Sequence, residues 1–172
     1  MEMRNNILSR EIYDYLSWHV REIEKKKELL FNEHYIEETQ ESINFKEFFK
    51  DYIDYINGYL GTVKVGKGGL TTCPFVIIDS IVEVFDTEEM ENCRYRIVLP
   101  FVKETDSTID CASCLSPLGK ALLLKTENDE VNVQIPTGVL NYTISKITLP
   151  GMKEAVDRKA TVFNGSTAVA TD

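Results

Sequence analysis

From Ser9 to Phe31 the apolar residues Ile12, Leu16, Ile23 and Leu30, with His19 among them, recur at spacings of three, four and seven. That period puts them on one face of an amphipathic helix, and Ser9 predicts its N-cap. A second helical period runs from Phe45 to Leu60, where Phe48, Tyr52, Tyr55, Ile56, Tyr59 and Leu60 form one broad stripe. Asn44, with Glu47 three residues later, predicts a capping box at its start, and Gly58 and Gly61 predict its end. Neither helix satisfies its apolar stripe alone. A short connection makes the two antiparallel, so residues 1–61 are expected to form a helical hairpin.

Beyond it the period changes. Gly61 to Gly69 contains four glycines with Lys64 and Lys67, and residues 62–75 read as a linker or loose loop. After Pro74 come short runs of strand character: Val76 to Val84, Arg94 to Val98, Thr108 to Leu115, Val131 to Ile135 and Val139 to Leu149. The last two flank Pro136, Thr137 and Gly138, a hairpin turn. Ser116-Pro117 predicts a helix start, because proline's missing N–H costs nothing at the first helical position. Residues 76–150 are therefore expected to be a mainly antiparallel β domain with one short helix, which makes the fold class α+β. Residues 151–172 are small and polar without a sustained period, and a partly disordered tail or a frayed short helix is expected there.

Composition and charge narrow the function. Hydrophobic residues make up 43% and charged residues 27% of the 172, enough to bury a core. No stretch approaches the roughly 20 apolar residues of a membrane span. The start Met-Glu-Met-Arg-Asn-Asn is not followed by the apolar run of a signal peptide, so a soluble cytoplasmic protein without a membrane partner is expected. The 19 Lys+Arg against 28 Asp+Glu give a formal charge of −9, which argues against gripping nucleic-acid phosphates directly. The acidity is also localised. Residues 31–60 hold Lys46 and Lys50 against Glu33, Glu37, Glu38, Glu41, Glu47, Asp51 and Asp54, and residues 32–43 carry four glutamates and no base. That stretch coincides with the expected turn of the hairpin.

Cysteine supplies a rival chemistry. Cys111-Ala112-Ser113-Cys114 has the C-x-x-C spacing of a redox pair or half a zinc site, with Cys73 and Cys93 as the further ligands zinc would need. The pair falls inside an expected strand instead of at a strand–helix junction, so small buried side chains are the competing explanation. His19 and His34 have no ligand at a metal-binding spacing. Asn141-Tyr142-Thr143 and Asn164-Gly165-Ser166 match glycosylation sequons, which without a secretory signal read as chance.

Several separated motifs carry a family resemblance. Asp79-Ser80-Ile81-Val82-Glu83-Val84, Tyr95-Arg96-Ile97-Val98, Ser116-Pro117-Leu118-Gly119-Lys120-Ala121-Leu122-Leu123, Asp129-Glu130-Val131-Asn132-Val133, Pro136-Thr137-Gly138 and Tyr142-Thr143-Ile144 follow one another in order. Over about residues 76–148 this pattern resembles the C-terminal domain of the GreA/GreB transcript cleavage factors. The family pairs that domain, which has an FKBP-like fold, with an N-terminal antiparallel coiled coil, and the hairpin stands in the matching place.

The resemblance implies a monomeric accessory factor, not an enzyme, whose partner is bacterial RNA polymerase; nucleic acid would be met only through the polymerase. The C-terminal domain would dock beside the secondary channel, with Ser116, Pro117, Leu118, Gly119 and Lys120 as candidate contacts. The coiled coil would carry tip acids to the active site, where they help hold a Mg²⁺ ion shared with the polymerase and stimulate transcript cleavage. Carboxylates suit that task because Mg²⁺ takes oxygen ligands while keeping waters, and a second metal can activate the attacking water. Glu38 and Glu41 reproduce the three-residue spacing of the family's acidic pair, with Glu37 and Glu33 as substitutes. Around them the chain reads Asn32-Glu33-His34-Tyr35-Ile36-Glu37-Glu38-Thr39-Gln40-Glu41-Ser42, where cleavage-competent members have Gly-Asp-Leu-x-Glu-Asn-Ala-Glu-Tyr. A Gre-like regulator or inhibitor without cleavage activity is therefore the alternative, and a Cys-based metal or redox protein the more remote one. FKBP-like domains also include proline isomerases, but fold alone does not imply that activity.

Overall fold

A computed structural model describes residues 7–102, 108–150 and 152. Its contacts divide the chain into two units, which among the described residues are 7–71 and 72–150 with 152. The first unit runs β1 (Ile7–Leu8), α1 (Arg10–His34), α2 (Gln40–Thr62) and β2 (Lys64–Val65). Ser9 caps α1 as expected, its hydroxyl accepting from Ile12 N–H at 3.3 Å. The 25-residue helix extends about 37 Å at 1.5 Å per residue and continues past Phe31 to His34.

The start of α2 differs from the sequence expectation. Thr39, not Asn44, is its N-cap: the Thr39 hydroxyl accepts from Ser42 N–H at 3.1 Å while Ser42 Oγ accepts from Thr39 N–H at 2.8 Å. This is a capping box with serine in the place of Glu47, and hydrophobic periodicity is blind to it because the first turn of α2 is mostly polar. Gly58 and Gly61 do not end the helix either. A Cβ at either position would meet open space, and the missing side chain costs the helix only about 1 kcal/mol. The helix closes where Val63 N–H reaches Tyr59 O at 3.0 Å.

The packed stripe of α1 is Ile12, Tyr15, Leu16, His19, Val20 and Ile23, and that of α2 is Phe45, Phe49, Tyr52, Ile53 and Ile56. Tyr55, expected on the stripe, is half exposed, because the seam lies one flank over, through Phe49 and Ile53. Phe31 meets Phe45 near the turn at 5.8 Å between ring centroids, and His19 meets Tyr52 further along at 6.0 Å. Partners that descend one helix as they ascend the other make the pair antiparallel. His19 Nε2 and the Tyr52 hydroxyl are 2.8 Å apart in this dry seam. Burial, helped by the charge of Lys26, lowers the His19 pKa to about 3, so the ring is neutral.

Part of the expected 62–75 linker is ordered. Lys64–Val65 pair in parallel with Ile7–Leu8, Ser9 N–H donates to Leu70 O at 2.9 Å and Leu70 N–H to Ile7 O at 3.0 Å. Gly69 is required there, since a Cβ would lie 2.5 Å from the Leu8 carbonyl carbon.

The second unit contains β3 (Ile81–Asp86), β4 (Glu91–Val98), β5 (Asp110–Ser113), α3 (Pro117–Leu122), β6 (Glu130–Ile135) and β7 (Gly138–Thr148). The strands form one sheet in the order β5-β4-β3-β7-β6. The β domain is mainly antiparallel, as expected, but the sheet is mixed because β4 and β5 run parallel. The apolar run from Val76 is a strand only from Ile81. Before that, the buried Ser80 hydroxyl accepts from Ile77 N–H at 3.1 Å and donates to Ile77 O at 2.6 Å, while Asp79 takes φ 78°, which folds the run into a buried turn. Pro136 and Thr137 make the two-residue turn between β6 and β7, and Gly138 supplies the positive φ.

Val82, Val84, Ile97, Val131, Val133, Tyr142, Ile144 and Ile147 are buried. Ile144 and Ile147 are three residues apart, which strict alternation would send to opposite faces. A bulge opposite Glu83 and Val84 resets the register so that both reach the core. The tail from Gly151 and the Asn164 sequon lie outside the described residues, apart from Met152.

A pH series tests the neutral histidine. With an ordinary pKa of 6.5 in the unfolded chain and about 3 in the folded one, the unfolded state alone binds a proton between these values. This contribution to stability is complete above the unfolded pKa and falls with pH down to the folded one, by about 2 kcal/mol between pH 7 and pH 5. His19→Gln keeps a polar group toward Tyr52 without titrating. It is expected to flatten the acid side of the stability curve in denaturant unfolding; an unchanged slope would reject a buried neutral His19.

Candidate functional site

At the hairpin's far end, Tyr35 to Thr39 connect the two helices. The turn is braced on both sides. Tyr35 N–H donates to Phe31 O at 3.0 Å, and the Tyr35 ring packs 5.3 Å from Phe31 and 5.4 Å from Phe45. Lys46 lies over the Phe31 ring at 4.6 Å, a cation–π contact on the flank of the same cluster. Burial first, then the charge of Glu41, raises the pKa of the Tyr35 hydroxyl.

The structure places the sequence-predicted acids around this turn without converging them on a point. Glu33 is in the last turns of α1, Glu37 and Glu38 are in the loop, and Glu41 is in the first turn of α2, where free N–H groups favour a negative charge. All four are exposed. Among the described residues no group of three or more His, Cys, Asp and Glu side chains could hold a metal ion. Chemically, the tip can offer one or two hard oxygen ligands to an ion whose other ligands come from a partner.

The second candidate, Ser116 to Lys120, turns sharply beside β5. Ser116 caps α3, accepting from Gly119 N–H at 3.0 Å, and donates its own hydroxyl to Ser113 O at 2.7 Å. Gly119 is buried against that carbonyl, so closely that an added Cβ would collide with Ser113 O. Ser116 and Gly119 thus build the turn. Pro117 and Lys120 are exposed and Leu118 is half exposed, so these three are the ones a partner can reach. Sequence reasoning missed Ser113, which anchors the turn through its backbone, and the Thr39–Ser42 box; the latter was signalled by its three-residue spacing.

The cysteines do not form a site. Cys111 lies in β5, while Cys114 follows the strand, fully buried; none of the four cysteines is in a disulfide. Burial pushes Cys114 up to about 12, and Cys73, which donates to Phe75 O at 3.0 Å, also up to about 12. Thiols held protonated in this way are poor nucleophiles and poor metal ligands. Another unforeseen pair, Tyr95 and Tyr142, joins hydroxyls at 2.8 Å, and burial raises the pKa of both. A groove of about 380 Å³ lies toward the other end of the hairpin, lined by Tyr13, Val20, Arg21, Glu24, Asn57 and Leu60 among others.

A helical hairpin with an acidic turn and a mixed-sheet unit with a serine-capped, glycine-tightened turn define a two-part α+β protein. A family model described as "Transcription elongation factor, GreA/GreB, C-term" matches residues 71–149, so that part of the chain is similar to the C-terminal domain of the GreA/GreB factors. Among curated relatives, transcription elongation factor GreA of Syntrophobacter fumaroxidans is 45% identical over 71 residues, 41% of this chain and 44% of that one. GreA of Desulfovibrio desulfuricans is 38% identical over 78 residues, 45% of this chain and 47% of its own. The chain spans about half the length of these relatives. Of solved structures, a prokaryotic GreA/GreB elongation factor from Nitrosomonas europaea aligns with a TM-score of 0.42 at 19% identity, covering 86% of this chain and 99% of that one. GreA factor homolog 1 of Thermus thermophilus aligns at 0.38 and 20% identity, covering 84% and 99%. These scores are too low to establish a common overall arrangement.

The two halves of the Ser116–Lys120 turn are separable by stability. Ser116→Ala is expected to lose about 1 kcal/mol through its cap, and Gly119→Ala about 2 kcal/mol or more through backbone collision. Lys120→Ala should stay within about 0.5 kcal/mol. Denaturant unfolding reads all three, and a neutral Gly119→Ala would refute the close approach.

Proposed function

We propose that this protein is a Gre-type transcription elongation factor that binds bacterial RNA polymerase at its secondary channel and stimulates transcript cleavage in backtracked complexes. The observation that carries this reading is the GreA/GreB C-terminal domain at residues 71–149, preceded in the chain by a helical hairpin with an acidic turn. Docking falls to the exposed part of the Ser116–Lys120 turn: Pro117 and Leu118 offer apolar contact and Lys120 a charge. The long α1 and α2 place the turn acids at the end of the hairpin opposite the β1–β2 pairing. Glu38 and Glu41 are the residues that would hold a Mg²⁺ ion shared with the polymerase, the remaining ligands coming from the partner. Such an ion, when bound, lowers the pKa of a water for attack on a phosphodiester. The protein's own part is to present exposed carboxylates on a braced turn.

A second reading is favoured by one specific feature. The first two residues of the turn are Tyr35 and Ile36 instead of acids, and the acids are spread from α1 to α2, an arrangement that also suits a factor occupying the channel without promoting cleavage.

Stalled, backtracked elongation complexes with purified core polymerase separate the two. Shortening of the transcript on adding the full chain is expected from the first, and binding without shortening at saturation would leave the second. Where cleavage occurs, Glu38→Ala and Glu41→Ala should each reduce it about tenfold or more while leaving polymerase binding within about twofold. Undiminished cleavage by the double variant would reject these residues.

A further inference from the structure

We propose that Ile36 is an apolar anchor at the hairpin turn, seated in an apolar socket rimmed by basic side chains on the polymerase; this rests on the reading above. Ile36 is 98% exposed, more than any other large hydrophobic side chain among the described residues. Single exposed hydrophobics are common on protein surfaces and by themselves mean little. Three features distinguish this one.

The first is its position. It is a β-branched residue in a turn whose chemistry favours glycine, asparagine and other small polar residues, and no turn geometry requires isoleucine there. Tyr35 and Thr39, which bracket the turn, are held by backbone and ring contacts, whereas Ile36 is left facing solvent. The second is rigidity. With the Phe31–Tyr35–Phe45 cluster on one side and the Thr39–Ser42 box on the other, the anchor is presented on fixed backbone, so binding loses little conformational entropy. The third is its charge frame. Glu33, Glu37, Glu38 and Glu41 surround it in sequence and are all exposed. An apolar centre with an acidic rim is complementary to an apolar pocket with a basic rim, the arrangement in which one buried side chain carries affinity and the rim charges steer.

The test is competition binding of the full chain to purified core polymerase at low and high salt. It compares Ile36→Ser, Ile36→Val and a control, Leu29→Ser, whose side chain is 63% exposed on the flank of α1. Because Ile36 makes so little contact within the chain, Ile36→Ser should leave unfolding unchanged. Burial of an isoleucine is worth about 1.5–3 kcal/mol, so Ile36→Ser is expected to weaken binding roughly tenfold or more, by the same factor at both salt concentrations. Ile36→Val should recover most of the affinity, and Leu29→Ser should match the parent. Glu37→Gln with Glu38→Gln should instead reduce the salt dependence, because screening acts on charges and not on apolar burial. Equal binding by Ile36→Ser and the parent would overturn the anchor while leaving the Gre-type reading in place, as would equal losses in Ile36→Ser and Leu29→Ser. A parent chain that does not bind polymerase at all would overturn both.

Discussion

The hairpin depends on a buried polar contact between its two helices. A neutral His19 facing the Tyr52 hydroxyl at 2.8 Å satisfies two groups that could not be left unpaired in a dry interface. An apolar stripe alone tolerates sliding of one helix past the other by a turn, because Leu, Ile and Phe pack nearly as well against a shifted partner. A hydrogen bond between two particular side chains does not tolerate it. Once His19 and Tyr52 are opposite each other, Phe31 comes to Phe45 and the chain must reverse within Tyr35 to Thr39. The position of every tip carboxylate follows from that register.

The opposite end of the first unit is closed by backbone instead of side chains. Residues 7–9 are hydrogen-bonded to residues 64–70, and Gly69 allows the two segments to approach within van der Waals distance. Both ends of the hairpin are thus constrained, one by the capped turn and the other by this clasp. The second unit applies similar devices to a sheet. The bulge in β7 keeps Ile144 and Ile147 on one face, and the Ser113 carbonyl receives both the Ser116 N–H and its hydroxyl. The backbone positions of Pro117 and Lys120 are set by those contacts, so the surface available to a partner is a by-product of packing beneath it.

The helical periodicities, the Ser9 cap, the Ser116-Pro117 start, the Pro136–Gly138 turn and the linked motifs of the C-terminal domain were legible in the chain. Each depends on neighbours a few residues apart, or on a pattern spread along the strand. The acidic stretch was equally visible as composition. Less visible were the start of α2 at Thr39, the parallel pairing of β4 with β5, the buried turn before Ile81 and the ordering of Lys64–Val65. An apolar run such as Val76 to Val84 looks the same whether it is a strand or a buried turn, and only the Ser80 hydroxyl distinguishes them.

The sequence by itself determined that two long helices precede a strand-rich region and that negative charge collects between the helices, because propensity, period and composition are local properties. The tertiary structure alone decided which face of α2 is the seam, that Gly119 and Gly69 are demanded by neighbouring backbone, that Cys73 and Cys114 are buried, and that Ile36 is left in solvent. Those outcomes depend on partners distant in the chain, whose approach no local pattern encodes.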